Sequence, residues 1–151
     1  MKTLARPEDR DELLRRLRRV RPESPRRWGR MSAHQMMCHL ADAFRMALGD
    51  KAVGGTSTAF GRTLLKYLVL YAPLRWPEGV ATSPEIDQHG GGTIPVEFAA
   101  DVAQVERLME VAAAAKGQAW PPHPVFGRMS DAQWHRWGYL HVDHHLRQFS
   151  A

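Results

Sequence analysis

The chain has 151 residues, of which 44% are hydrophobic, 25% charged and 9% aromatic, and it holds one cysteine. That composition belongs to an ordinary globular chain of about one domain and excludes a disordered tail, a disulfide-stapled miniprotein and a collagen-like or low-complexity repeat. The formal net charge of +5 is concentrated at the start, because residues 1–30 carry 11 of the 21 basic side chains and only 5 of the 16 acidic ones.

Met1 to Arg6 lead directly into acids and arginines, so no secretory signal is read there. Pro7, Glu8 and Asp9 then open a helix expected to run to about Val20, since proline tolerates the first turn and acids suit the positive end of the dipole. Pro22-Glu23-Ser24-Pro25 forbids its continuation. The run Arg15-Arg16-Leu17-Arg18-Arg19-Val20-Arg21 admits two readings: contact with nucleic acid or an anionic surface, or an amphipathic helix with Leu13, Leu14, Leu17 and Val20 against the body. The second is preferred, because no aromatic residue interleaves with the arginines and no recognition motif follows. Residues 1–24 therefore read as a basic helix and linker attached to a single domain spanning residues 1–151, and nucleic acid is not the expected partner.

Two later segments begin alike, Trp28-Gly29-Arg30-Met31-Ser32-Ala33-His34-Gln35 and Phe126-Gly127-Arg128-Met129-Ser130-Asp131-Ala132-Gln133. Each contains Ser-x-x-Gln, a capping box, so helices are expected from Ser32 to near Gly49 and from Ser130 to Gln148 or Phe149. Between them, Phe60 to Tyr71 reads as a short helix, apolar nearly all round, which implies burial on several sides or a subunit contact. Pro73 to Ile94, with Gly90-Gly91-Gly92, reads as a long connection of the kind that often carries function. Pro95 to Lys116 reads as a further helix, with Pro95 early and Gly117 beyond the end, and with Phe98, Val102, Val105, Leu108, Met109 and Ala112 at helical spacing.

No alternating strand pattern is present, and the helical segments argue for an all-α bundle. The longest apolar run, Leu64 to Leu74, is broken by Lys66 and ends around Pro73, well short of the roughly 20 residues of a membrane span. No membrane association is expected. A single cysteine has no partner for an internal disulfide, which makes a reducing cytoplasm the expected compartment.

Chemistry enters with the eight histidines. On the last helix, the line Trp134, Trp137 or Gly138, His141, His145, Gln148 is apolar until it reaches His141. His141 and His145 stand four apart, one turn on the same side, a spacing that lets two imidazoles share one metal ion. A third ligand is sought on another helix, and His39 lies on the inward line Met36, His39, Ala43, Met46. His34 is expected to be exposed near the cap. Asp42 is a candidate to hold one ligand imidazole by its other nitrogen, Gln148 to do the same or to touch substrate, and Gly138 to leave room for a ligand. Three neutral imidazoles leave the charge of a divalent ion uncompensated and one position open, for a water whose pKa the ion lowers or for an anionic thiolate or carboxylate. Cys38 points about 100° away from His39 around the helix and is read as a small buried side chain. His123 is read as part of a loop at the site mouth, His89 and His144 as surface or supporting residues, and Trp134 and Trp137 as core.

The residues Met31-Ser32-Ala33-His34-Gln35-Met36-Met37-Cys38-His39-Leu40-Ala41-Asp42, His123-Pro124-Val125-Phe126-Gly127 and His141-Val142-Asp143-His144-His145-Leu146-Arg147-Gln148-Phe149 together resemble the DinB-like (YfiT-like) superfamily of metal-dependent enzymes, in an uncharacterised branch. The similarity runs from about residue 25 to the end. It implies a four-helix bundle of DinB-like type, here with an extra N-terminal helix, and a divalent metal, commonly zinc or nickel, held by His39, His141 and His145. It also implies a small-molecule substrate, in some members a low-molecular-weight thiol, and frequent homodimers.

The leading expectation is a metal-dependent transferase or hydrolase acting on a small molecule through the three-histidine site. The alternative is a non-catalytic helical binding or dimerisation module with a vestigial metal site, motivated by the apolar segment Leu64 to Tyr71.

Overall fold

The computed structural model describes residues 1–55, 58–117 and 120–151. The described residues form five α-helices and no strand: α1 (Pro7–Leu17), α2 (Ala33–Leu48), α3 (Lys66–Tyr71), α4 (Phe98–Ala114) and α5 (Asp131–Gln148). The all-α expectation holds. Among the described residues no helix is long and apolar enough to cross a membrane.

Both Ser-x-x-Gln sequences act as capping boxes. Ser32 Oγ accepts the Gln35 N–H while Gln35 Oε1 accepts the Ser32 N–H, and Ser130 and Gln133 repeat the exchange. Gly49 closes α2 at φ 87°, a left-handed conformation that suits glycine. α4 begins differently from expectation. Its cap is Glu97, whose carboxylate accepts the Ala99 and Ala100 N–H groups, and Pro95 stays outside the helix. A carboxylate at the positive end of the dipole does the work assigned to proline.

α1 ends at Leu17, three residues before the expected Val20. Pro22 disfavours helical backbone at Arg21, and the chain tightens beforehand through Arg19 N–H to Arg16 O and Val20 N–H to Leu17 O. Leu13, Leu17 and Val20 are all buried nonetheless. Three of the arginines meet acids from later in the chain. Arg16 pairs with Asp143 at 2.7 Å, Arg18 with Glu106 at 2.8 Å and Arg10 with Glu110 at 3.3 Å. Acids on α4 and α5 thus meet part of the basic charge of the N-terminal segment.

α2 is buried on nearly every side and packs most extensively along α4, while α5 touches each of the other four helices. One apolar core joins α1, α2, α4 and α5 around Leu13, Met36, Leu40, Met109, Val142 and Leu146. A second gathers Met46, Leu70, Phe126, Trp134 and Trp137 between α2, α3 and α5. Gly138 faces the N-terminal segment: a Cβ there would lie 2.6 Å from Leu4 Cδ1. The missing side chain therefore admits Leu4 and not a ligand, because the position points into the first core.

The segment Phe60–Tyr71 departs from burial on several sides. A wide π-helical turn over Gly61–Leu65 leads into α3, which buries only Lys66 and Leu70. Phe60, Leu64, Tyr67, Leu68 and Tyr71 are exposed.

If α1 is a packing element and not an arm for other molecules, Leu17→Ala will cost about 2–5 kcal/mol of stability. Arg19→Ala, at an exposed position on the turn that follows α1, will change it by less than about 0.5 kcal/mol. Urea denaturation of the two variants measures both.

Candidate metal centre

His39 on α2 and His141 and His145 on α5 come together. Each offers a ring nitrogen, and the three lie within 4.8 Å of one another. His39 Nε2 and His141 Nε2 are 3.2 Å apart. Two nitrogens bound to one tetrahedral zinc at about 2.0–2.1 Å would be roughly 3.3–3.4 Å apart, so the pair is close to ligand spacing.

The outer nitrogens decide where the lone pairs point. His39 Nδ1–H donates to the Ile86 carbonyl at 3.0 Å, which leaves Nε2 bare toward the centre. His145 Nδ1–H donates to Gln148 Oε1 at 3.0 Å, and the Gln148 amide donates from Nε2 to Trp28 O at 2.8 Å. That second bond fixes which end of the amide faces His145, and so fixes the histidine tautomer. Two imidazoles are thus pre-set as acceptors aimed at one point, with His141 beside them. His39 and His145 are buried and His141 is half-buried.

Burial pushes all three imidazoles below their ordinary range, and at His141 and His145 the neighbouring histidines push further. Neutral rings at physiological pH keep their lone pairs available. The donor set, the spacing and the oriented outer bonds all fit a divalent ion of the zinc type.

The three rings form part of the wall of a cleft of about 640 Å3. Trp28, Trp76, Phe126 and Trp137 make much of the remainder aromatic, with the Trp137 ring 4.8 Å from that of His141. His144 also lines the cleft and is buried, with Nδ1 lacking a hydrogen-bond partner. His123 lines it too. Its Nδ1 accepts the Val125 and Phe126 N–H groups at 3.1 and 3.2 Å, and its ring stacks on Phe126 at 4.5 Å. Burial pushes the His123 imidazole down to about 3. Trp137 is core and cleft wall at once.

Several sequence assignments change. Asp42 bonds no imidazole. Its fully buried carboxylate accepts Thr93 N–H and Oγ1–H, both at 2.7 Å, and pairs with Lys51 at 2.9 Å and Arg45 at 3.0 Å. Burial alone would raise its pKa, but the Thr93 and Lys51 bonds hold it below the usual carboxylate value. Its role is to anchor the 73–94 connection to α2, and that connection delivers the Ile86 carbonyl to His39. A backbone acceptor from a loop carries no signature in sequence, so Ile86 was invisible there, as were Trp28 and Trp76. Gln148 does hold an imidazole, as its three-residue offset from His145 suggested. His34 is not exposed near the cap: it is half-buried and bonded to Asp101 Oδ2 at 2.7 Å. Cys38 is buried as expected, its thiol pushed up to about 12 by burial and by the Asp101 carboxylate.

A family model described as "Protein of unknown function (DUF1569)" matches residues 6–151. No curated protein and no solved structure matches the chain.

The buried histidines couple stability to pH. An unfolded histidine titrates near 6.5, whereas His123 in the fold takes a proton only near 3. Below about 6.5 the unfolded chain therefore binds protons that the folded chain refuses, and stability falls as the pH drops toward the folded values. Because His39, His141, His144 and His145 shift in the same direction, the metal-free protein will lose stability between about pH 6.5 and 5 with a slope steeper than one proton gives, about 1.4 kcal/mol per pH unit. Denaturation across that range in the presence of a chelator reads the slope.

Proposed function

We propose that this chain, which belongs to the DUF1569 family, is a metal-dependent enzyme, a transferase or hydrolase that acts on a small molecule at the three-histidine centre. The observation that carries the reading is the pair of pre-set tautomers: Ile86 O and Gln148 Oε1 turn the lone pairs of His39 and His145 toward the same point beside His141. The outer acceptors satisfy the buried N–H groups, and the choice of nitrogen they bond leaves the remaining lone pairs of both rings directed at one shared centre, as metal ligation requires. The ion proposed is zinc or nickel. When bound, it would supply a Lewis acid of undiminished 2+ charge, able to favour the anionic form of a water or a thiol near neutral pH.

The chain's own residues supply the surroundings. The aromatic walls of the cleft exclude water from an apolar part of the substrate and strengthen charge interactions at its floor. His144 adds a further imidazole to the cleft lining, its ring centroid 6.0 Å from that of Trp76. Gln148 holds His145 while spanning to Trp28, so the segment before α2 is tied to the centre. The co-substrate proposed is a low-molecular-weight thiol. The relationship to the DinB-like superfamily, the four-helix-bundle architecture with α1 as the extra helix and a cytoplasmic location belong to the same proposal. Its support is the distribution of ligands, one histidine from α2 and two from the last helix.

Purified protein should bind one equivalent of zinc or nickel at this centre, and His141→Ala/His145→Ala should remove that equivalent. Gln148→Leu leaves all three ligands in place but frees His145 to rotate, and should weaken binding by roughly 10–100-fold. Metal analysis with competitive chelator titration measures both, and unchanged affinity in the double variant would refute the assignment.

A second reading rests on a different observation. Phe60, Leu64 and Tyr67 are each more than half exposed, at 56%, 55% and 56%, and with Leu68 and Tyr71 they gather five exposed large apolar side chains in one short segment. In this reading the chain is a binding or homodimerisation module with a vestigial metal site. Leu64→Glu/Tyr67→Glu would then convert a dimer to a monomer in analytical ultracentrifugation. A wild-type chain that sediments as a monomer at all concentrations would leave the enzyme reading without this competitor.

A further inference from the structure

A second group of metal-ligating atoms lies on a different face of α2 from His39. His34 and Cys38 stand four residues apart on α2, so both project from one face, and Asp101 comes from the first turns of α4 opposite them. Their ligand atoms lie within 4.8 Å of one another. Asp101 Oδ2 is the meeting point, 2.7 Å from His34 Nε2 and 3.5 Å from Cys38 Sγ. Tetrahedral zinc, with bonds of about 2.0–2.1 Å to nitrogen and oxygen and about 2.3 Å to sulfur, needs neighbouring donors roughly 3.3–3.6 Å apart. The sulfur–oxygen separation already meets that, and the nitrogen–oxygen pair needs to open by about half an ångström.

We propose that His34, Cys38 and Asp101 form a second divalent-metal site that staples α2 to α4. The two centres differ in charge, and the difference assigns their roles. The trio of neutral imidazoles leaves an ion its full 2+ charge. Here a thiolate and a carboxylate cancel that charge, so the ion is a poor Lewis acid and a good cross-link. Binding forms bonds from the metal to Sγ, Nε2 and a carboxylate oxygen. The thiol proton leaves to solvent, and the imidazole keeps one proton, on Nδ1. Sulfur and imidazole together favour a borderline ion such as zinc or cobalt over magnesium or calcium. His34 and Asp101 are each about four-fifths buried, at 22% and 21% side-chain exposure, which leaves a solvent edge for entry and for a fourth ligand from water.

The sulfur makes this site separately observable, because the histidine trio contains none. Metal-free full-length protein titrated with cobalt should take up two equivalents, and one of them should bring the near-ultraviolet charge-transfer band of thiolate bound to cobalt. The band should persist in His141→Ala/His145→Ala and vanish in Cys38→Ser. His34→Ala and Asp101→Asn, at partly exposed positions and checked for intact helicity by circular dichroism, should weaken the equivalent that gives the band by at least about tenfold. Absence of the band in wild-type protein at saturating cobalt overturns the proposal. So does a band of unchanged affinity in His34→Ala and Asp101→Asn, since the thiol would then bind cobalt without its partners.

Discussion

The crossing of α5 against α2 is the constraint on which the rest depends. His39 lies on one helix and His141 and His145 on the other, more than a hundred residues away in sequence, and their ring nitrogens converge only because the two helices pack with these faces together. The packing is held from several directions. Leu40, Val142 and Leu146 are fully buried in the core shared by the two helices. α1 presses on α5 and Arg16 reaches Asp143, while α4 lies along α2. Burial of apolar area at about 25 cal/mol per Å2 is the main favourable term in such packing, and it has to offset the cost of desolvating the histidines set among it.

That cost explains the outer bonds. A buried imidazole with an unpaired N–H loses its hydrogen bonds to water without replacement. Ile86 O and Gln148 Oε1 supply them for His39 and His145, and in doing so orient the rings. The Ile86 carbonyl arrives on a long connection that has little regular structure beyond one short 3-10 turn, Pro84–Ile86. Asp42 makes this possible. It is completely buried and would be unstable unpaired, yet Thr93, Lys51 and Arg45 all donate to it. One carboxylate three residues beyond His39 thus secures the loop that secures His39.

The basic N-terminal segment and the apolar α3 segment show how local composition misleads in opposite ways. A run of arginines suggests an anionic partner, but Arg16 and Arg18 within it are taken up by acids on α5 and α4. An apolar helix suggests burial, but α3 leaves most of its large side chains on the surface. In both cases the missing information is what stands opposite, and that is a property of packing between segments distant in sequence.

What the residues alone determined is whatever depends on near neighbours. Ser32 with Gln35 and Ser130 with Gln133 set helix starts by exchanging bonds across one turn, and the four-residue spacing of His141 and His145 puts both on one side of a helix. The inward line through Met36 and Met46 also placed His39 on the correct face, and Gln148 was within one turn of the ring it holds. The tertiary structure decided everything that needs a second segment: that Ile86 and not Asp42 supports His39, that Gly138 makes room for Leu4, that Asp101 meets His34 and Cys38, and that tryptophans from separate stretches enclose one cleft. The division has a simple origin. Helical periodicity fixes the direction in which each side chain leaves its own axis, while the partner it meets is selected by how the axes pack, a choice made by the summed burial of all the cores at once.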